Sequence, residues 1–204
     1  MFKGIQKVSL IDYPGEICAT LFTGGCNFRC NWCHNWDLVL PEKVMLIPDI
    51  SEDEIKDFLI TRKGKLGGVC ITGGEPCMWK SNLAEFMRWC KAEGFKVKLD
   101  TNGSFPDVLN EYLSKGLVDY IAMDIKNSFS KYAKTVGLDS VNLDKIKLSV
   151  EIIKKSRIPH TFRTTVVPSL IEAYDLSQIE EFLGEKLILQ DYRPVSNYSE
   201  VNYG

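Results

Sequence analysis

No charge of either sign predominates in this sequence: 25 Lys and Arg stand against 27 Asp and Glu, for a formal charge of −2. Without a basic block there is little to grip a phosphate backbone, so nucleic acid is excluded as the expected partner, and protein or small molecule remains. No apolar run approaches the ~20 residues of a membrane span. The start, Met1 to Leu10, lacks the apolar core of a secretory signal, and a cytoplasmic protein is expected. The seven cysteines do not form an even set. In a reducing compartment they read as thiols or metal ligands rather than as a disulfide framework. Internal repeats, low-complexity tracts and linkers are also missing. With 204 residues and 45% hydrophobic content, the chain can bury roughly 70% of its unfolded surface, so a single domain over residues 1–204 is expected.

What is present alternates. Apolar, β-branched runs at 16–23, 68–72, 95–100, 118–124, 161–167 and 186–191 predict six strands. Between them, Ser51 and Glu54 form a capping box ahead of Ile55, Phe58 and Leu59. Leu83, Phe86, Met87 and Cys90 fall on one helical stripe. Further helices are predicted near 105–114 with Ser104 as cap, 142–155 with Asn142 as cap, and 175–183 with Asp175 as cap. Strands too apolar to be wetted on one face, separated by helices, predict a parallel α/β sheet with helices outside: a partial (β/α)6, TIM-like barrel. A flat doubly wound sheet would be expected to open with a glycine-rich dinucleotide loop after its first strand. Here GGCNFRCNWC follows instead.

That stretch carries the chemistry. Cys26, Cys30 and Cys33 form CxxxCxxC, three thiolates close enough to hold three irons of a [4Fe-4S] cubane and leave the fourth iron open for a ligand. Gly24 and Gly25 supply the backbone freedom for a tight loop. Cys18, Cys70, Cys77 and Cys90 are scattered singly and read as small buried side chains. Two rivals fit the same residues. Cys30 to His34 spells CxxCH, a c-type haem attachment, but that chemistry occurs outside the cytoplasm and leaves Cys26 unexplained. A zinc site could use the three cysteines and His34. Further along, Gly73, Gly74, Glu75 and Pro76 follow the second strand. The glycines allow close approach of backbone to ligand, and Pro76 biases Glu75 to an extended conformation that presents its carbonyl or carboxylate. Asp124 and Lys126, two apart on a strand end, face one way, and there they must be paired or ligand-bound. His160, next to a proline, reads as a surface turn residue.

CxxxCxxC with aromatic Trp32 before the last cysteine, followed by GGEP, DTNG (Asp100, Thr101) and DIK, resembles the radical S-adenosylmethionine (SAM) family, from Asp12–Gly15 to Lys126. The resemblance implies an open iron that chelates the methionine end of SAM, and reductive cleavage to a 5′-deoxyadenosyl radical. It implies Trp32 near the adenine, and Asp100 and Thr101 at SAM or at a monovalent cation beside it. Lys126 would meet the SAM carboxylate, with Asp124 as its partner or as cation ligand. Arg163 is a further candidate for the ligand side, and the backbone of Gly73 and Gly74 lies close to it. Related activases place a His at the last strand end, where this chain has Gln190, Asp191 and Tyr192. The continuation Cys33-His34-Asn35 resembles activases of glycyl radical enzymes, with Asn35 as a cofactor-side candidate. No cysteine lies between His34 and Val69, so a ferredoxin-like insertion is not expected, and the likeness is to the compact activases. The opening residues 7–35 resemble the activases of anaerobic ribonucleotide reductase more than those of pyruvate formate-lyase. A deazaguanine synthase and a structural Fe-S or zinc protein compete with the activase. A flavodoxin or ferredoxin is the implied reductant.

Overall fold

A computed structural model describes residues 1–194. The chain runs β1 (Phe2–Ser9), β2 (Cys18–Thr23), α1 (Pro41–Val44), α2 (Glu52–Thr61), β3 (Gly68–Gly73), α3 (Lys80–Ala92), β4 (Lys96–Thr101) and α4 (Pro106–Ser114). It continues with β5 (Tyr120–Asp124), α5 (Tyr132–Thr135), α6 (Leu143–Ser156), β6 (His160–Val166), α7 (Ala173–Leu183) and β7 (Ile188–Asp191). Among the described residues the strands form one seven-stranded sheet in sequence order. Strands β2 to β7 are parallel throughout, the six-stranded partial barrel expected from the pattern. No helix among the described residues is long and apolar enough to cross a membrane.

Period-two alternation divides each strand between two environments. Outward residues such as Leu21, Ile71, Leu99, Ile121, Met123 and Phe162 are buried under helices. The helices answer with Ile55 and Leu59 on α2, Leu83, Phe86, Met87 and Cys90 on α3, and Ile146, Val150 and Ile153 on α6. The inward side is polar: Thr20, Cys70, Lys98, Asp100, Asp124 and Arg163 face the barrel interior, where Tyr13, Cys18 and Cys70 pack as a separate small cluster with Tyr120.

The structure adds a seventh strand that the sequence pattern did not predict. β1 runs antiparallel to β2 and buries Phe2, whose ring meets Phe86 edge-on at 4.8 Å. Its middle is half-exposed, with Lys and Gln among its residues, so the hydrophobic signal of a strand is diluted. Ser51 and Asn142 cap α2 and α6 as predicted, accepting from the N–H groups of Glu54 and Lys145. Two expected caps differ. Glu172 is the N-cap of α7, and Asp175 lies three residues inside, buried and accepting from the Glu172 N–H. Ser104 does not cap α4; it is drawn into a hydrogen-bonded group at the site. His160 is no turn residue either. It opens β6, paired in register with Ile121, with Nδ1 2.9 Å from the Ile158 carbonyl oxygen and Nε2 3.4 Å from Glu185.

Candidate active site

The carboxyl ends of the parallel strands surround a cavity of about 310 Å3. Its lining brings together Cys26, Cys30 and Cys33 with Trp32, Asn35, Gly73, Gly74, Asp100, Thr101, Asp124, Lys126 and Arg163. All the predicted site residues but Glu75 thus line one cavity.

The cysteine loop after β2 is tied down along its length. Gly25 N–H donates to the Leu38 carbonyl at 2.7 Å, and the Gly25 carbonyl accepts from Glu75 N–H at 2.8 Å. Arg29 N–H reaches the Val136 carbonyl at 2.8 Å, and Trp32 Nε1 donates to the Thr135 carbonyl at 3.1 Å. Asn35 Nδ2 holds the Gly73 carbonyl at 3.1 Å. Asn27, Asn102 and Ser104 close a ring of side-chain hydrogen bonds between this loop and the end of β4. Gly74 is required by contact: a Cβ there would stand 2.0 Å from the Gly25 oxygen. At Gly73, with φ at 112°, a Cβ would come within 2.5 Å of the Thr23 backbone.

The donor set fits a cubane cluster. The three thiols line the cavity, and among the described residues no three His, Cys, Asp or Glu side chains converge on a single ion position. A cluster offers each thiolate its own iron. Burial pushes the Cys26 thiol up to about 12 and the Cys30 thiol to about 11, and raises Cys33 as well. Bound iron would reverse that balance, since a coordinating thiol is deprotonated.

The same cavity carries a charged array. Arg163 Nε donates to Asp124 Oδ1 at 2.8 Å and Lys126 Nζ to Asp124 Oδ2 at 3.1 Å. The guanidinium also lies 3.4 Å from Asp100 Oδ2. Burial alone would raise the Asp124 carboxyl, but Arg163 and Lys126 bring it down to about 2. Burial opposes the charge on Lys126 too, and Asp124, together with the Cys30 and Cys33 sulfurs, holds it above the ordinary lysine value. Lys126 Nζ is 5.2 Å from the centre of the Trp32 ring, a cation–π contact between the two predicted residues.

Glu75 differs from its expectation. It is fully buried, and its carboxylate accepts from Cys77 N–H (3.0 Å), Thr101 Oγ1 (2.8 Å) and Asn102 N–H (2.7 Å). Its carbonyl accepts from Met78 N–H at 3.1 Å. Both groups expected to present to a ligand are engaged inside the protein, where Glu75 locks the end of β3 to the end of β4.

Sequence reasoning missed several lining or supporting residues. Asp12 lines the cavity, with one oxygen accepting from Thr20 Oγ1 at 2.6 Å. Gln190 of β7 lines it where a His was sought. Lys98 lies beneath Asp100 and donates to its Oδ1. Lys98 and Asp100 carry the same spacing of two that singled out Asp124 and Lys126, so the signal was present.

The sequence model of the Radical SAM superfamily matches residues 20–183. A protein of Methanocaldococcus jannaschii named for glycyl-radical enzyme activation is 34% identical over 98% of this chain and 83% of its own length. The pyruvate formate-lyase-activating enzyme of Staphylococcus epidermidis is 26% identical, over 100% of this chain and 87% of its own. Among solved structures, Streptococcus suis SuiB, also determined with S-adenosylmethionine bound, superposes with a TM-score of 0.64 at 14% identity. That overlap covers 89% of this chain and 40% of SuiB, a likeness of fold.

Proposed function

The chain belongs to the radical SAM superfamily, enzymes that use SAM and a [4Fe-4S] cluster on three cysteines, and from that premise we propose an activase that takes hydrogen from a glycine Cα of a glycyl radical enzyme. One observation carries the reading: Cys26, Cys30 and Cys33 line the same cavity as Asp100, Asp124, Lys126 and Arg163, in a sheet with β1 at one edge and β7 at the other. Residues 1–204 are proposed as one radical SAM domain in the cytoplasm.

When bound, the cluster and SAM together supply a 5′-deoxyadenosyl radical. The chain's part is placement. Cys26, Cys30 and Cys33 would hold the cluster. Lys126 and Arg163 are cations beside the cavity and suit the SAM carboxylate, while Asp124 and Asp100 keep those cations aimed. Trp32 offers an aromatic face to the adenine, and Phe28 and Val39 exclude water from the same wall. Gly73 and Gly74, the former with its carbonyl held by Asn35, line the cavity at the end of β3 and offer backbone to the ligand. Thr101 sits beside Asp100 with its hydroxyl fixed on Glu75.

The open flank between the two edge strands suits an entering peptide. A glycine Cα–H suits the radical, since no side chain blocks approach and the product radical is shared with the flanking peptide groups. Anaerobic ribonucleotide reductase is the partner favoured by residues 7–35. A pyruvate formate-lyase is the second reading, favoured by the relative of that name. The reductant is proposed to be a flavodoxin or ferredoxin. The test is to reconstitute the cluster anaerobically, reduce it, add SAM, and incubate with each partner class in turn. An electron paramagnetic resonance doublet on the reductase is expected. If both partner classes stay radical-free while SAM is cleaved, a small-molecule reaction such as deazaguanine synthesis replaces the activase. If SAM is not cleaved, a structural Fe-S or zinc protein does.

A further inference from the structure

Asp100 and Asp124 stand at the ends of neighbouring strands, and all four of their carboxylate oxygens are matched to cationic nitrogens of this chain. On Asp124, Oδ1 takes Arg163 Nε at 2.8 Å and Oδ2 takes Lys126 Nζ at 3.1 Å. On Asp100, Oδ2 faces the Arg163 guanidinium at 3.4 Å and Oδ1 accepts from Lys98 Nζ. A monovalent cation beside Asp100, which the family resemblance implies, would have to displace one of these nitrogens or sit within the field of all three.

Lys98 differs from the other two cations in position. It is only 3% exposed and reaches Asp100 from the barrel interior, with Nζ also 3.5 Å from Cys70 Sγ. Lys126 and Arg163 belong to the cavity lining, whereas Lys98 does not. An incoming carboxylate can therefore draw Lys126 and Arg163 towards itself, but it cannot recruit Lys98. A buried ammonium needs a partner as much as a buried carboxylate does. The pair on β4 satisfies itself whether or not the cavity is filled.

We infer that Lys98 is the resident counter-ion of Asp100, a positioning residue that takes the place of a bound monovalent cation, so that SAM binding by this chain is independent of K+ and Na+. The inference rests on the reading that this cavity takes SAM. It extends that reading to the source of the site's positive charge, which here is covalent. Replacing Lys98 by an uncharged side chain leaves one Asp100 oxygen without its cation in a buried position, and a small alkali ion then has a place to bind.

Two measurements test it. In the first, thermal unfolding of the protein without cluster or SAM is compared in KCl, NaCl and tetramethylammonium chloride at equal ionic strength. Wild type should unfold at the same temperature in all three, and Lys98→Arg should match it. Lys98→Met should be stabilised in KCl or NaCl relative to tetramethylammonium, because an ion that binds only the folded state raises its melting temperature. In the second, calorimetry follows SAM binding to the cluster-loaded enzyme. Wild-type affinity should not change when K+ is replaced by tetramethylammonium, whereas Lys98→Met should lose about tenfold, the scale of one hydrogen bond to a charged group. Wild-type affinity that drops tenfold without alkali ions would overturn the inference, and it needs no variant to fold. So would a Lys98→Met protein indifferent to the salt in both measurements. A protein that binds no SAM at all would refute the proposed function, while the unfolding comparison would still report on Lys98.

Discussion

At the scale of single residues, the chemistry lies in charge pairs whose members were separately visible in the sequence. Lys126→Met keeps most of the stem and removes the ammonium. SAM affinity should fall by about 1.5 to 3 kcal/mol, the size of a charge-assisted hydrogen bond. Stability should change little, because Arg163 remains on Asp124; calorimetry and thermal melting together separate the two effects. Asp124 also makes a pH prediction. Its folded carboxyl is depressed to about 2 from 3.8, so its contribution is present in full above the unfolded value and is lost as pH falls towards 2. On the order of 2 kcal/mol should disappear across that window. Asp124→Asn should flatten the acid limb of a plot of melting temperature against pH, and an unchanged limb would contradict the pairing. The spacing of Asp124 and Lys126 announced a pair, but Arg163, 37 residues beyond Lys126, could not be joined to it by spacing. Only the register of β5 on β6, which sets Asp124 beside Arg163, does that.

Among the elements, the junctions between strand ends and loops decide whether the cavity keeps its shape. Glu75 binds the ends of β3 and β4 through three donors. In Glu75→Gln, an amide NH2 must replace one acceptor and confront one of those donors. The loss should be about 1 to 3 kcal/mol in urea denaturation, from one unsatisfied buried group. Gly74→Ala should act differently, forcing the Gly25 carbonyl away. Iron and sulfide content after reconstitution should then fall, even where far-ultraviolet circular dichroism reports an intact fold. GGEP was legible as a motif, but the direction of its glutamate was not. Pro76 favours an extended Glu75 in either case, and the buried donors of Thr101 and Asn102 lie a whole β-α-β crossover away. β1 escaped for another reason: its side chains meet solvent along much of one edge strand, and Phe2 is the residue that anchors it to α3. The central parallel strands β2 to β5, mostly buried, were legible because burial leaves few residue types to choose from, whereas β7 is exposed along its length and was marked by its apolar Ile188 and Leu189.

At the scale of the whole molecule, six parallel strands and one antiparallel edge among the described residues make a barrel with an open flank, and the cavity faces out at the strand ends. A peptide loop can enter such an opening, although ordering it costs entropy, so a free peptide with the partner's glycine should bind only modestly. Within the cavity, Cys26→Ala, Cys30→Ala and Cys33→Ala should each abolish the brown chromophore and SAM cleavage. Changes at Cys70, Cys77 or Cys90 should leave both in place, because Cys70, Cys77 and Cys90 are buried in the fold and off the cavity lining. The open flank suits a peptide substrate, and the docking surface selects the partner that supplies it. The central claim is hydrogen abstraction from a glycine Cα, and deuterium reports on it directly. A partner enzyme carrying Cα-deuterated glycine is incubated anaerobically with the reduced, cluster-loaded activase and SAM, and the 5′-deoxyadenosine is analysed by mass spectrometry. The account predicts one deuterium in 5′-deoxyadenosine alongside a glycyl radical on the partner; unlabelled 5′-deoxyadenosine, formed while the partner acquires its radical, would contradict it.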